Sequence, residues 1–334
     1  MKILFVFTGG TISTTLKDSV MKVDESKPYA LIKAYEDRFG INFEYDCISP
    51  YLELSENNTG KHLDELCTCV KNNTEKGYDG IVVTHGTDTL QYSASALGYV
   101  LGNECAPVCL VSASFPLDDR KSNALDNLHG AVMMIKNKLG KGVFVPFKSA
   151  QSEDEKIVVH RGTRLLPSLP FSDEVKSVKN QEYGYFIRNQ KNDYYFIKNG
   201  ITEREDVALP FTPRFSYAST VMFLNAHPGM IYPELSQKVK YVLISSYHSG
   251  TIDTKSNEAR VFYTKAWERG IRVYVSGVNN GDIYESATEF SSLHIIPINL
   301  SPISAYIKIW LMSNSNAYED SVLQPLGGDT VINY

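Results

Sequence analysis

Three short apolar runs, each breaking into glycine or hydroxyl-bearing residues, restrict what this chain can become more than anything else in it. The first is Ile3-Leu4-Phe5-Val6-Phe7, running into Thr8-Gly9-Gly10-Thr11-Ile12. The second is Gly80-Ile81-Val82-Val83, running into Thr84-His85-Gly86-Thr87-Asp88-Thr89, and the third is Pro107-Val108-Cys109-Leu110-Val111, running into Ser112-Ala113-Ser114. β-Prone runs without polar alternation suit strands covered on both faces, as in the middle of a parallel sheet. Ligands of open α/β sheets sit beyond the carboxyl ends of the strands, so Thr8, Thr11, Thr87 and Asp88 fall at a ligand-facing edge. Each has a plainer reading as well: Thr11 can merely cap the next element, and Thr87 or Asp88 can cap the helix whose apolar pattern begins at Leu90.

The rest of the chain supplies the helices such a sheet needs. Helical spacing is expected over 29–39, over 61–72 with Leu63, Leu66, Cys67 and Val70 on one face, from Leu90 through Leu97, and over 123–138. Strands are expected at 43–48 and 142–146, giving a βαβα order and a parallel sheet with right-handed crossovers. The polar stretch 13–28 reads as a mobile surface loop near the pocket, where lids are found. Arg188 to Asp193 is a polar run between two aromatic-rich strands and predicts a hairpin. Pro210 and Pro213 punctuate an aperiodic linker over 200–219, which separates a domain at 1–199 from one at 220–334. In the latter, strands are expected at 220–224, 241–245 and 272–275 and helices at 257–268 and 302–312.

A chain of 334 residues exceeds the size at which one core keeps growing. Its net charge of −5 gives no reason to expect nucleic acid or an acidic membrane as a partner. No run approaches a membrane span, and the N-terminal apolar run is too short for a signal peptide, so the expected location is the cytoplasm. The five cysteines have no Cys-x-x-Cys pair and read as reduced thiols. Cys67, Cys69 and His62 lie close in sequence, but no second ligand pair comes after them at zinc-site spacing, and no metal is expected.

Thr8-Gly9-Gly10-Thr11-Ile12 together with Thr84-His85-Gly86-Thr87-Asp88-Thr89 resembles the paired signature of the bacterial-type L-asparaginase and glutaminase family. Ser55-Glu56 falls where that family contacts its substrate, Arg161-Gly162-Thr163-Arg164 is similar to an Arg-Gly-Asn-Arg stretch, and Leu224 to Gly229 and Asn299 to Leu311 resemble its Pro-Gly turn and final helix. The resemblance implies an α/β fold: a large N-terminal domain with a mostly parallel sheet and helices on both faces, plus a smaller C-terminal α/β domain, assembled as a homodimer or homotetramer. It implies hydrolysis of a small-molecule amide, asparagine or a relative, without a cofactor. Thr11 would be the nucleophile, with Thr87 and Asp88 handling water, amide, ammonium or protons, and Ser55, Glu56, Gly10, Gly86 and Ser112 binding the substrate.

The chain departs from that family at one chemically important place. A lysine is expected three residues after the arginine matching Arg164, and here that place falls on Pro167, which cannot carry a proton. Arg161 and Arg164 stay protonated and are poor replacements; Lys17, Lys121 and His160 are the other candidates. The family's Ser-Asp-Gly appears as Ser122-Asn123-Ala124, its Gly-Asn turn as Tyr247 to Thr251, and its lid tyrosine has only Tyr29 as a counterpart. His85, beside Gly86, reads as a structural hydrogen bonder or a base. A second reading is therefore an amino-acid or amide-binding protein with reduced turnover. A nucleotide-binding reading lacks the glycine pattern it needs after any of the three strands.

Overall fold

The structure, a computed structural model, describes residues 1–10, 14–17, 20–23, 27–150, 155–189, 193–207, 209, 213–278, 284–314 and 319–332. The chain divides into two compact units, Met1–Val207 with Pro325–Tyr334, and Ala208–Gln324.

In the first unit the order is β1 (Lys2–Phe7), β2 (Thr14–Lys17), β3 (Val20–Val23), α1 (Lys27–Phe39), β4 (Glu44–Ile48), α2 (Gly60–Lys71), β5 (Gly80–Thr84), α3 (Leu90–Leu101), β6 (Val108–Val111), α4 (Ala124–Lys136), β7 (Val143–Phe147), β8 (Ile157–Arg161), β9 (Gly184–Arg188), β10 (Tyr194–Lys198) and β11 (Thr202–Glu203). The second carries β12 (Val221–Asn225), β13 (Tyr241–Ser245), α5 (Asn257–Glu268), β14 (Arg272–Ser276), α6 (Glu285–Glu289), β15 (Ile295–Ile298) and α7 (Pro302–Ser313). The chain then returns to the first unit, where β16 (Val331–Ile332) pairs antiparallel with β11.

Among the described residues the larger sheet has eight strands in the order β10-β9-β8-β7-β6-β5-β1-β4. Strands β4, β1, β5, β6 and β7 run parallel, and β8, β9 and β10 continue the sheet antiparallel. The absence of polar alternation in β1 is explained by its place. Ile3, Phe5 and Phe7 share one core with Leu31, Ile32 and Tyr35 of α1 and Leu128, Ala131 and Ile135 of α4. Leu4 and Val6 are equally buried and point to the opposite face by the two-residue period of a strand. On that side α2 packs against α3, and α3 against β7. The α2 terminus is closed by a capping box in which His62 Nδ1 accepts the Thr59 amide at 3.1 Å, so this histidine serves the helix end.

The second unit is a parallel four-stranded sheet in the order β12-β13-β14-β15. Helix α5 buries Ala259, Phe262, Tyr263 and Ala266 against Val242, Ile244, Val273 and Val275, while α7 packs against β12 and β13. Ser256 and Ser301 cap α5 and α7, accepting amide hydrogens from Ala259 and Ser304.

The stretch expected to be an unstructured loop over 13–28 is different in its described parts. It forms the antiparallel pair β2–β3, in register Thr14 to Val23; Thr14, Thr15, Val20 and Val23 are β-branched and favour extended backbone. Thr202 and Glu203, within the stretch read as a linker, pair with Ile332 and Val331. No helix among the described residues is long and apolar enough to cross a membrane.

Candidate active site

Strand order places the site. From β1 the chain moves to β4 on one side, then crosses to β5 on the other side and continues outward through β6 and β7. The reversal leaves a crevice between the carboxyl ends of β1 and β5, the position at which ligands bind in open α/β sheets. Phe7 pairs with Thr84 and Thr84 with Val111, so the three turns leave the sheet at neighbouring points. Thr11, the expected nucleophile, comes directly after Gly10 and lies outside the described residues.

The turns are locked to each other by backbone contact. Gly10 has φ +79°, and a Cβ on it would lie 2.3 Å from the Gly86 nitrogen and 2.4 Å from its Cα. A Cβ on Gly86 would in turn lie 2.4 Å from Ser55 Oγ. Gly9, φ +106°, faces the Glu53 backbone, whose amide donates to Thr8 O at 3.0 Å. Only glycine allows these approaches, and at Gly9 and Gly10 the positive φ as well. Thr8 Oγ1 donates to Thr84 O at 2.7 Å and is thereby committed to tying β1 to β5.

Ser55 and Asp88 meet at this junction. Ser55 Oγ donates to Asp88 Oδ2 at 3.5 Å, and Thr89 Oγ1 donates to Ser55 O at 2.9 Å. Asn58 Nδ2 donates to Thr89 Oγ1 at 3.1 Å and lies 3.5 Å from His85 Nε2. The other ring nitrogen of His85, Nδ1, lies 2.8 Å from Gly86 O, so it carries the proton. His85 is fully buried, and desolvation lowers its pKa against the opposing pull of the Gly86 carbonyl and the Asp88 charge. A neutral imidazole with both nitrogens engaged buttresses the turn rather than collecting a proton.

Thr87 and Asp88 line a cleft of about 710 Å³ together with Leu90, Gln91, Tyr92, Ser114, Phe115 and the segment Leu165–Val175. Pro167 is in that segment, so the position without a proton carrier shares the cleft with Thr87 and Asp88. The candidate replacements are placed elsewhere or engaged. His160 is buried, bonded through Nδ1 to Ser177 Oγ at 2.9 Å, and burial pushes its pKa down to about 3. Lys121 is exposed, with Nζ 6.0 Å over the Phe115 ring. The Lys17 side chain falls outside the described residues. Arg161 and Arg164 both bind Glu203; Arg161 also donates to Lys141 O at 2.6 Å and Arg164 to Gly328 O at 2.7 Å. These arginines staple the returning C-terminal segment into the first unit.

Among the other expected site residues, Glu56 shares a short 3-10 turn with Ser55 but is exposed and does not line the cleft. Ser112 is fully buried at the end of β6; its carbonyl accepts from Asn127 at 2.8 Å, and its Oγ has no partner among the described residues. Tyr29 lies in the first turn of α1, its ring 6.1 Å from that of Phe7. Residues that sequence reasoning did not assign to the site are Asn58 and Gln91, and Asp173, which accepts from Ser149 Oγ at 2.6 Å and Ser114 Oγ at 3.4 Å. A helical glutamine carries no signal of its own, and Asp173 reaches the cleft only through the path of the 165–175 segment.

A crevice at a strand-order reversal, with two threonine-glycine turns in backbone contact and a serine–aspartate pair beside them, is the candidate site of a two-unit α/β protein. The chain belongs to the asparaginase family: the family model described as asparaginase, N-terminal, matches residues 2–199. It is similar to the D subunit of the glutamyl-tRNA(Gln) amidotransferase of Saccharolobus solfataricus, 24% identical over 331 residues, 95% of this chain and 73% of that one. The D subunit of the same amidotransferase in Haloquadratum walsbyi is 34% identical over 232 residues, 67% of this chain and 50% of that one. In fold it resembles the thermostable L-asparaginase of Thermococcus kodakarensis, with a TM-score of 0.78, 19% identity and complete coverage of both chains. L-asparaginase I of Vibrio cholerae matches with a TM-score of 0.78 and 20% identity over 99% of each chain.

Proposed function

We propose that this protein is an amidohydrolase that converts a side-chain amide, of asparagine or a related compound, to the carboxylic acid and ammonia. The observation that carries the reading is the backbone contact between Gly10 and Gly86, which brings the turn after β1 and the turn after β5 together at the crevice. Thr11 Oγ attacks the amide carbon, turn amides hold the oxyanion, ammonia leaves, and water hydrolyses the ester. Asp88, accepting from Ser55, grips an ammonium on the substrate or relays a proton, and Thr87 positions the water or the amide. Membership of the asparaginase family and similarity to amidotransferase subunits support an amide as the substrate. The test is ammonia release from asparagine, glutamine and a panel of other amides by the full chain and by Thr11→Ala. Release by the former alone supports the reading; equal background release from both overturns it.

Pro167 in the cleft favours a second reading, an amide-binding protein with reduced turnover. A thermal shift with amide ligands in a sample that releases no ammonia would select it.

A further inference from the structure

We infer that the preferred substrate is an amide carried on a larger body, specifically an N-terminal asparaginyl or glutaminyl residue of a peptide with an apolar second residue, rather than the free amino acid. This rests on the amidohydrolase reading and names the substrate class of the same site.

Four observations converge on it. The first is Gln91, only 6% exposed, in the first turn of α3 and in the cleft wall. Its Nε2 donates to Asp88 O at 3.4 Å, and its Oε1 has no partner among the described residues. A buried amide oxygen left without a donor is costly, and a turn of the Gln91 side chain, which lines the cleft, would let a ligand N–H satisfy it. A peptide N–H one residue beyond an ammonium held by Asp88 is such a donor, because Gln91 and Asp88 are already in contact.

The second is charge. The cleft's acidic residues are Asp88, Asp173 and Glu174, and no lysine, arginine or histidine lines it among the described residues. Lys176 stands beside it and is paired with Glu174 at 2.7 Å, so these two charges offset each other and the negative charge of the wall comes from Asp88 and Asp173; Lys121 lies over the Phe115 ring. Such a wall suits an ammonium and disfavours a free α-carboxylate; in a peptide that carboxylate is replaced by a neutral amide.

The third is size and lining. About 710 Å³ falls in the range that holds ligands well beyond a single amino acid, and Phe115, Phe147, Leu165, Leu169 and Phe171 offer apolar surface along it.

The fourth is the segment that carries Leu169 and Phe171. Its ends are pinned by the Leu165–Ser177 bridge and by the Leu166 amide donating to Lys176 O at 2.9 Å. Its tip holds Phe171 fully exposed at φ +64° and Leu169 at 61% exposure. A bulky residue held in the left-handed region and turned out to water is a conformation the surrounding structure imposes, and such outliers gather at ligand clamps. Here Phe171 and Leu169 would pack on the side chain of the second residue. The reaction balances as amide hydrolysis: the C–N bond of the side-chain carboxamide breaks, water supplies the hydroxyl of the acid, and nitrogen leaves as ammonia.

The test compares ammonia release by the full chain from Asn-Phe-amide, Asn-Gly-amide, Gln-Phe-amide, free asparagine and free glutamine. The expected result is a kcat/KM at least about tenfold higher for Asn-Phe-amide or Gln-Phe-amide than for the corresponding free amino acid, the scale of discrimination one pocket contact provides. Release that favours asparagine or glutamine overturns this inference alone; no release from any amide overturns the amidohydrolase reading and this inference with it. Gln91→Leu is expected to bring the peptide-to-free ratio toward one through a raised KM for the peptides, and a ratio left intact overturns the role of Gln91. Phe171→Ser, at a fully exposed position where folding is not at stake, is expected to lower kcat/KM for Asn-Phe-amide more than for Asn-Gly-amide. An equal effect on both overturns the clamp.

Discussion

Gly10 and Gly86 meet backbone to backbone, and a methyl carbon on Gly10 would fall 2.3 Å from the Gly86 nitrogen. Neither backbone can yield cheaply, because both turns leave the β1/β5 ladder, whose last pair is Phe7 with Thr84, two or three residues earlier. Gly10→Ala is therefore expected to cost about 2–3 kcal/mol, combining the strain of positive φ with the displaced turn. The loss should appear in the midpoint of urea unfolding. Ammonia release should fall further than stability does, because Thr11 is the next residue.

Asp88 is exposed, and its carboxylate accepts from Ser55 Oγ at the long distance of 3.5 Å, so removing its charge spares the fold. Asp88→Asn is expected to shift stability by no more than about 0.5 kcal/mol, as for a surface change. If Asp88 relays a proton, kcat should drop on the order of 10² to 10⁴. If it only holds an ammonium, KM should rise with kcat nearly unchanged. Steady-state kinetics on a cationic amide separate the two roles.

The parts of the fold that could be read from the sequence are those whose physics is local. Ile3–Phe7 and Ile81–Val83 lack alternation because both faces are covered, and the helix Asn257–Glu268 shows its apolar period directly. Strand β8 escaped because its sequence, Ile-Val-Val-His-Arg, ends in two polar residues that only distant partners, Ser177 and Glu203, make compatible with burial. Strand β15 contains Pro297, and β11 and β16 span two residues each, too few for a periodic signal. In the site, the two threonine-glycine turns were visible as motifs. The wall formed by Leu165–Val175 was not, because it depends on where a remote segment returns in space, and the Gln91–Asp88 contact, though only three residues apart, involves a helical glutamine that carries no signal of its own.

Glu203 sits between Arg161 and Arg164, with its side chain 19% exposed. Desolvation works to raise its pKa, but the hydrogen bonds and charges of the two arginines prevail and the net direction is down. Glu203→Gln leaves two buried guanidinium groups without their counter-charge and is expected to cost about 3–5 kcal/mol, read from chemical denaturation at neutral pH. A lowered carboxyl pKa contributes stability above its unfolded value that is lost as pH falls through the folded one. The variant should therefore also lose part of the wild-type decline in acid.

His160 supplies a second acid-sensitive element. Burial lowers its folded pKa to about 3, whereas an unfolded histidine titrates near 6.5. Between those values the unfolded chain binds the proton and the folded chain does not. Stability thus falls as pH drops from about 6.5 toward 3, by at most about 1.4 kcal/mol per pH unit. His160→Gln, which retains a polar group toward Ser177, is expected to flatten this slope, measured as unfolding free energy at pH 7 against pH 4.5. His129, lowered to about 4 by burial and by Arg188, Arg38 and Lys136, leaves a residual slope in an overlapping window.

Pro167 is the position at which chemistry and specificity meet. It shares the cleft with Thr87, Asp88 and Asp173, and no described lysine, arginine or histidine lines that cleft. Pro167→Lys would place an ammonium among these carboxylates, able to carry a proton for Thr87 and to attract an α-carboxylate. If the missing proton carrier limits turnover, kcat for asparagine should rise by at least about tenfold, the low end of what one acid-base group contributes. The new charge should also narrow the preference for Asn-Phe-amide over free asparagine, because only the free amino acid has a carboxylate to meet it. A variant that folds, as judged by its unfolding midpoint, yet shows neither change would mean that position 167 governs neither proton transfer nor selection.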